Sequence, residues 1–343
     1  MMRAATTMLL PALAALLAAC AASAPPAAPE PQAPLVWPDE LDVPPRIAYV
    51  RSFSRSDDFG IAPGLLKRVA RIVFGAAEDR LVRPMGVTVV DGVIFVADPG
   101  ATGVHRFDPV AKRYALVTGP DGTPLPSPVA LASCGNGDVY VTDSALGRVL
   151  VIRPGAKTAE LLPLAGLERP VGIACEPATG RLLVADAKAH VVKTFDRDGT
   201  PRGTLGTRGT GDGQFNFPTF LWRDPAGKLF VTDSLNFRVQ SFDAEGRFVA
   251  SIGRAGDVPG NFMRPKGVAT DSYGHVYVAD GLASALQVFT QDGQLLLSLG
   301  LPGQERGEFW LPEGLFVGAG DEIYVADSFN HRVQVFRYIG GPT

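Results

Sequence analysis

One block of sequence returns six times along this chain of 343 residues. Each copy begins with Pro and a few small or apolar residues. After a short gap it reaches Val-Tyr-Val-Ala-Asp or a close variant of that sequence. The last Asp positions follow one another at a constant spacing (186, 233, 280, 327), and a fixed period of this length indicates a repeat fold. The repeated residues are Asp98, Asp143, Asp186, Asp233, Asp280 and Asp327.

Each repeat has the composition of four short strands. In the fifth repeat, β-type segments at 265–270, 276–279, 286–289 and 295–299 alternate with turn residues such as Asp, Gly and Ser. A single four-stranded antiparallel sheet cannot bury both of its faces. Six such sheets packed around an axis make an all-β, six-bladed β-propeller.

Two segments, 231–242 and 325–336, carry the clearest motif, an Asp-Ser-x-Asn-x-Arg-Val-Gln stretch followed by Phe. They resemble NHL repeats, and the resemblance extends over roughly residues 46–338. It implies a propeller of six four-stranded antiparallel blades. It implies little about function, since one fold carries many activities.

The ends of the repeat region predict how the ring closes. Too few residues follow Phe336 to supply a fourth strand for the last blade, whereas residues 46–53 have β composition and no blade of their own. We therefore predict that 46–53 completes blade six. Residues 63–74, with apolar side chains at helical spacing, predict one short helix before blade one, either packed or acting as a lid. Residues 339–343 form a tail.

The N-terminus resembles a bacterial lipoprotein signal. Residues 1–19 have the composition of a signal peptide, with an apolar run from Met8 to Ala19. The sequence Leu17-Ala18-Ala19-Cys20 is similar to a lipobox, which implies lipidation of Cys20. An ordinary signal peptide cleaved after Ala24 is the alternative. The resemblance places the protein in the cell envelope, and Ala21 favours the periplasmic face of the outer membrane. Residues 20–45, rich in Ala and Pro, predict an extended tether.

Composition limits the classes of partner. With 35 acidic and 32 basic residues, the chain lacks the basic excess of a general phosphate-binding surface, so no nucleic acid is expected. Cys134 and Cys175 lie in neighbouring repeats, and in an oxidising envelope they either pair or remain two buried thiols. Cys134 lies six residues after its repeated Pro and Cys175 lies five after its own. Because side chains alternate along a strand, this difference of one residue favours side chains on opposite faces of the sheet.

The repeated Asp residues predict turn fixation and not metal binding. Each ends a second strand at a turn, where a carboxylate accepts turn N–H groups. An Arg that could pair with the Asp follows five residues later at Arg148, Arg238 and Arg332.

Residues that depart from the repeat indicate a binding surface. They concentrate where first strands begin and where second strands turn into third strands, over blades four to six. Lys266 and Glu313 occupy equivalent places on adjacent blades and either steer charge or pair with each other. The candidate binding residues are Arg264, Lys266, Trp310, Glu313, Phe237, Phe329 and His331.

An enzyme is the less favoured hypothesis. Relatives by fold include lactonases and lyases, which need acidic or His ligands in the central channel. This chain has only four His residues, and no Ser/His/Asp or Cys/His grouping is evident. We therefore expect no catalytic residue, metal or cofactor. The prediction is a lipid-anchored, non-enzymatic propeller that binds a protein partner of an envelope complex, with a small-molecule binder or a hydrolase- or lyase-like protein as the alternative.

Overall fold

The computed structural model describes residues 34–40, 42–61 and 79–341. Within these ranges the regular structure is almost entirely β, and helical structure is limited to short 3₁₀ turns. The turns are Ser56–Phe59, Pro120–Gly122, Ser234–Asn236, Ala319–Asp321 and Ser328–Asn330. The predicted signal peptide, Cys20 and the predicted helix at 63–74 lie outside the described residues.

Six antiparallel sheets form the six blades, which confirms the predicted fold class. In the first three blades, consecutive strands lie side by side in chain order. Blade one contains β3 (Gly86–Val90), β4 (Val93–Asp98), β5 (Gly103–Asp108) and β6 (Arg113–Val117). Blade two contains β7 (Pro128–Ser133), β8 (Val139–Asp143), β9 (Arg148–Ile152) and β10 (Glu160–Leu162). Blade three contains β11 (Pro170–Glu176), β12 (Arg181–Asp186), β13 (Val191–Phe195) and β14 (Pro201–Leu205).

The next two blades repeat this order. A short parallel pair, β15 (Thr207–Arg208) with β16 (Gln214–Phe215), lies in the linker that precedes blade four. Blade four contains β17 (Pro218–Arg223), β18 (Leu229–Asp233), β19 (Arg238–Phe242) and β20 (Phe248–Ile252). Blade five contains β21 (Pro265–Thr270), β22 (Val276–Asp280), β23 (Ala285–Phe289) and β24 (Leu295–Leu299).

Blade six combines the two ends of the described chain. Its sheet order is β1 (Val36–Trp37), β2 (Ile47–Phe53), β27 (Arg332–Tyr338), β26 (Glu322–Asp327) and β25 (Pro312–Val317). Strand β2 is antiparallel to β27, as the sequence predicted, and β1 adds a short fifth strand outside it. Pairing β27 in this way removes an exposed sheet edge.

The core is divided among the blade interfaces. Each pair of adjacent blades buries one cluster of apolar side chains, so the described residues contain six clusters in a ring. The cluster between blades six and one includes Phe53 of the closing strand, whose ring lies 4.8 Å from that of Phe59 and 5.7 Å from that of Phe107. Closure therefore contributes hydrophobic packing as well as hydrogen bonds.

First strands of neighbouring blades approach closely at the axis, which explains the Gly that stands two residues after the repeated Pro in blades one, three, five and six. The Gly314 N–H donates to the Met85 carbonyl at 2.8 Å, joining blade six to blade one. A Cβ atom at Gly314 would lie 2.4 Å from that carbonyl oxygen. Since the obstacle is backbone, a larger residue can be accommodated only by separating the two blades.

A disulfide joins Cys134 to Cys175, with the two Cα atoms 5.3 Å apart. The expectation that the two side chains face opposite ways was wrong. Strict alternation holds only inside a strand, and Cys134 lies one residue beyond the end of β7. The bond connects the residue that follows β7 in blade two to β11 in blade three.

No helix in the described part of the chain combines the length and the apolar character that a bilayer-crossing segment would need.

The contact between blades six and one predicts that Gly314→Ala is destabilising. Overpacking of this kind costs about 1–3 kcal/mol in free energy of unfolding. Chemical denaturation measures the change. Gly203→Ala is the matched control, because a Cβ at Gly203 meets no atom within 4 Å. Equal stability of the two variants would show that the blades have room at this contact.

The closing strand predicts a second effect. Phe53 is 2% exposed, and Phe53→Ala should lower the free energy of unfolding by about 3–5 kcal/mol. Hydrogen exchange of the β27 amides should accelerate at the same time, because β2 protects that edge. Val50→Ala in the same strand serves as the control, since Val50 is 40% exposed. Slow exchange in β27 despite the loss of Phe53 would contradict closure by packing of β2.

Candidate functional site

One end of the propeller carries the residues that depart from the repeat. Because strands within a blade are antiparallel, the start of the first strand and the turn between the second and third strands lie at the same end. We call this end the upper rim. The linker that enters each blade also reaches the upper rim, immediately before the repeated Pro.

A buried Asp holds the upper rim of every blade together. In blade five, Asp280 accepts the N–H groups of Met263 at 2.7 Å and Arg264 at 2.9 Å, both in the linker. Its carboxylate also accepts the N–H groups of Leu282 and Ala283, both at 3.2 Å, in the following turn. One carboxylate therefore connects the linker to the turn. The fully buried equivalents are Asp98, Asp143, Asp186, Asp233, Asp280 and Asp327.

The repeated Arg completes this contact in two blades. Arg238 donates to Asp233 at 2.9 Å and Arg332 donates to Asp327 at 2.8 Å. Arg148 forms no such pair within the described residues; in its blade, Asp143 accepts N–H groups of the linker and turn. These arginine side chains are thus not equivalent, although their sequence positions are.

The pKa of the repeated Asp reflects the balance between burial, which raises it, and hydrogen bonds to the carboxylate, which lower it. Burial raises the pKa of Asp327 above its ordinary value, despite hydrogen bonds from the Trp310 N–H and Arg332. Burial also acts to raise the pKa of Asp186, but hydrogen bonds from Lys193 and the linker N–H groups outweigh it and lower the pKa. Asp186 therefore stabilises the fold above its unfolded-state pKa, and this contribution is lost as the pH falls through the folded-state pKa.

A cavity of about 760 Å³ opens at the centre of the upper rim, and all six blades contribute to its lining. We call it the mouth cavity. It lies within the size range of small-ligand sites, roughly 300–1,000 Å³. Its walls are largely apolar, with Met85, Val129 and Val171 from the first three blades. A smaller cavity of about 160 Å³ lies among the first strands in the channel.

The structure brings five of the seven predicted binding residues to the mouth cavity. Trp310 and His331 do not line it. Trp310 lies further out on the rim, 49% exposed, with its ring 6.0 Å from that of Phe329. The His331 ring forms a hydrogen bond with the carbonyl of Val82, which connects blade six to blade one. The five residues at the cavity are Phe237, Arg264, Lys266, Glu313 and Phe329.

Lys266 and Glu313 pair with each other. Lys266 Nζ lies 2.8 Å from a carboxylate oxygen of Glu313, and their side chains are only 11% and 12% exposed. Of the two alternatives left open by the sequence, the structure therefore has the ion pair. Each charge compensates the other inside the cavity wall.

The other histidines are held by structural contacts. His190 Nδ1 accepts the Phe217 N–H at 3.1 Å. His105 is buried, with Nε2 3.4 Å from Asp98 and Nδ1 3.0 Å from the Tyr114 hydroxyl. His275 Nδ1 lies 2.7 Å from a carboxylate oxygen of Asp271. Among the described residues, no group of three or more His, Cys, Asp or Glu side chains is arranged to hold a metal ion.

Sequence reasoning missed several residues of the rim. Its candidate binding residues included only one that stands immediately before a repeated Pro, Arg264, whereas the residue at that position lines the cavity in all six blades. They also included only one that stands second after a repeated Asp, Phe329, although this position is apolar and exposed on all of blades four to six. The missed side chains include Arg83, Arg169, Leu235, Met263 and Leu282.

Comparison with known proteins supports the repeat and the fold. Residues 309–336 match the NHL repeat family. No curated protein matches the chain.

Three solved structures illustrate the range of similar propellers. Virginiamycin B lyase from Staphylococcus aureus is 12% identical, with 84% of this chain and 99% of that chain covered and a TM-score of 0.56. An auxiliary nutrient binding protein from Bacteroides thetaiotaomicron is 12% identical, with 76% and 70% covered and a TM-score of 0.61. A chain of a nidogen/laminin complex is 18% identical, with 66% and 82% covered and a TM-score of 0.51. At identities this low, the comparison shows similarity of fold alone.

Proposed function

We propose that this protein is a non-enzymatic interaction scaffold that binds a protein partner through the upper rim of blades four to six. The observation that carries the proposal is a set of exposed apolar side chains there, which we call the rim patch. Its members are between 40% and 51% exposed. The rim patch consists of Leu235, Met263, Leu282, Trp310 and Phe329.

The rim patch repeats from blade to blade. Leu235, Leu282 and Phe329 each stand two residues after the repeated Asp, so they occupy equivalent places on three adjacent blades. Met263 and Trp310 stand two residues before the repeated Pro of blades five and six. Contiguous exposed apolar surface on a soluble domain commonly marks a site of protein interaction.

Trp310 is the best anchor of the rim patch. Its backbone N–H donates to Asp327 at 2.8 Å, but the side chain takes no part in that bond. The equivalent linker position in blade four is Asn216, whose N–H makes the same contact with Asp233 at 2.6 Å. The repeat therefore does not require an indole at this position. Trp is among the residues that most often dominate binding free energy at interfaces.

A second candidate function is the binding or turnover of a small molecule in the mouth cavity. Its volume of about 760 Å³ favours this candidate, and similar propellers include a lyase and a nutrient binding protein. Among the described lining residues, the acid–base groups that lie together are Lys266 and Glu313, and these two are paired with each other. The scaffold is therefore our primary proposal.

We further propose that the propeller is held in the cell envelope, on the periplasmic face of the outer membrane. The support is the lipobox-like sequence ending at Cys20, followed by the Ala/Pro-rich segment that would separate the propeller from the bilayer. A lipid on Cys20 is the only membrane attachment in this proposal.

The rim patch predicts that Trp310→Ala weakens partner capture by about 2 kcal/mol or more while the melting temperature stays close to that of the wild type. Affinity capture from crosslinked envelope fractions, together with thermal unfolding of the same variant, measures both quantities. Val110→Ala is the control, because Val110 is 88% exposed in the turn between third and fourth strands, at the opposite end. Undiminished capture by Trp310→Ala would place the interface elsewhere, and an equal loss of stability would make Trp310 a packing residue.

The lipid anchor predicts that Cys20→Ser abolishes incorporation of radiolabelled palmitate and moves the protein to the soluble fraction. Cys134→Ser is a control that retains Cys20, and it should still be labelled. Equal labelling of Cys20→Ser and the wild type would exclude lipidation at this residue.

A further inference from the structure

Arginine alternates between two positions around the ring. In blades one, three and five it stands immediately before the repeated Pro, as Arg83, Arg169 and Arg264. In blades two, four and six it stands five residues after the repeated Asp instead. Neither position carries arginine in the other set of blades. The arginines of blades two, four and six are Arg148, Arg238 and Arg332. The residues before the repeated Pro of those blades are Ser127, Phe217 and Leu311.

The three arginines before Pro differ physically from Arg238 and Arg332. Their backbone N–H groups donate to the Asp98, Asp186 and Asp280 carboxylates at 2.9 Å, so the repeated Asp fixes where each side chain begins. Their guanidinium groups are exposed and form no hydrogen bond or ion pair within the described residues. In the part of the chain that the structure describes, Arg169 alone of the three lies over an aromatic ring, that of Phe217 at 5.9 Å.

All three of these arginine residues line the mouth cavity. The charged side chains of its lining are four basic residues and one acidic residue, and the acidic one, Glu313, already pairs with Lys266. The three arginine charges therefore have no compensating partner among the described residues of this concave surface. This local excess contrasts with the formal net charge of −3 for the whole chain.

Arginine before the Pro suits carboxylate recognition. The planar guanidinium presents paired N–H donors that match the two oxygens of a carboxylate, and it remains charged at any physiological pH. Placing three such groups on alternate blades lets one ligand be contacted from three sides. A ligand with several carboxylates would gain most from this arrangement.

The rim patch indicates that the ligand belongs to a protein. Leu235, Met263, Leu282 and Phe329 line the mouth cavity as well as forming the rim patch, so a partner seated on the patch also faces the arginines. A nucleic acid would need basic residues extending along a phosphate backbone, whereas the walls between these arginines are apolar. An acidic peptide with interspersed apolar side chains fits both kinds of surface.

We propose that the mouth cavity binds an acidic segment of the protein partner, with its carboxylates on Arg83, Arg169 and Arg264 and its apolar side chains on the rim patch. This inference rests on the proposed scaffold function and gives the chemistry of the partner.

The test uses the full chain and a labelled peptide of Glu-Glu-Leu repeats, with a Gln-Gln-Leu peptide as its uncharged counterpart. A triple variant, Arg83→Gln, Arg169→Gln and Arg264→Gln, removes the mouth charges while keeping the backbone N–H bonds. The control triple variant changes net charge equally at exposed arginines that do not line the cavity. It carries Arg80→Gln, Arg113→Gln and Arg208→Gln.

We expect the wild type and the control variant to bind the Glu peptide with an affinity that falls as salt is raised. The mouth variant should bind about tenfold or more weakly and show a shallower salt dependence. The Gln peptide should bind weakly to all three proteins. Binding of the Glu peptide by the mouth variant at wild-type affinity would overturn the proposal, as would equal affinity for the Gln peptide.

Two competitors distinguish other sources of negative charge. Citrate that displaces the peptide at equal carboxylate concentration would show that the site takes a free polycarboxylate and not a peptide. A single-stranded oligonucleotide that binds more tightly than the Glu peptide would overturn the proposal in favour of nucleic acid. Trp310 lies outside the cavity, so failure of Trp310→Ala to affect partner capture would count against the rim patch and leave the peptide result intact.

Discussion

The structure depends on a carboxylate that is buried in every blade and surrounded by N–H donors. An uncompensated buried charge would cost several kcal/mol, so each Asp requires the linker and the turn to bring their donors to it. In blade five these donors come from Met263 and Arg264 on one side and from Leu282 and Ala283 on the other. The contact determines the path of the chain into each blade, and hence the direction of the side chains beside it.

This contact leaves the rim side chains free to vary. The Asp binds backbone N–H groups of the linker, so the side chains at those linker positions are not needed for the fold. Blade five carries Met263 and Arg264 where blade six carries Trp310 and Leu311, and both linkers still bond to the Asp. An apolar rim patch and three unpaired arginines can therefore be displayed on a regular ring.

The fold was predictable because its signals are local. Strand composition, turn residues and a constant period are all read within one repeat, and the missing fourth strand of blade six pointed to residues 46–53. Contacts between repeats were harder to predict. The Cys134–Cys175 bond was disfavoured by strand alternation, yet Cys134 lies beyond β7, where alternation no longer applies. His331, a predicted binding residue, also contacts the Val82 carbonyl of the next blade, and no single repeat reveals that contact.

By itself the sequence determined the number of blades, the closing strand, the repeated Asp at a turn and the region of the rim where the repeat is broken. Most of these depend on spacing along one chain segment, and the closing strand was found by comparing the last repeat with the complete ones. Only the tertiary structure decided that Lys266 and Glu313 neutralise each other and that Trp310 lies outside the mouth cavity. It also decided that Arg83, Arg169 and Arg264 line the cavity with no ionic partner among the described residues. Those outcomes depend on distances between different blades. Such distances are set when the six sheets pack around the axis, and no single repeat contains that information.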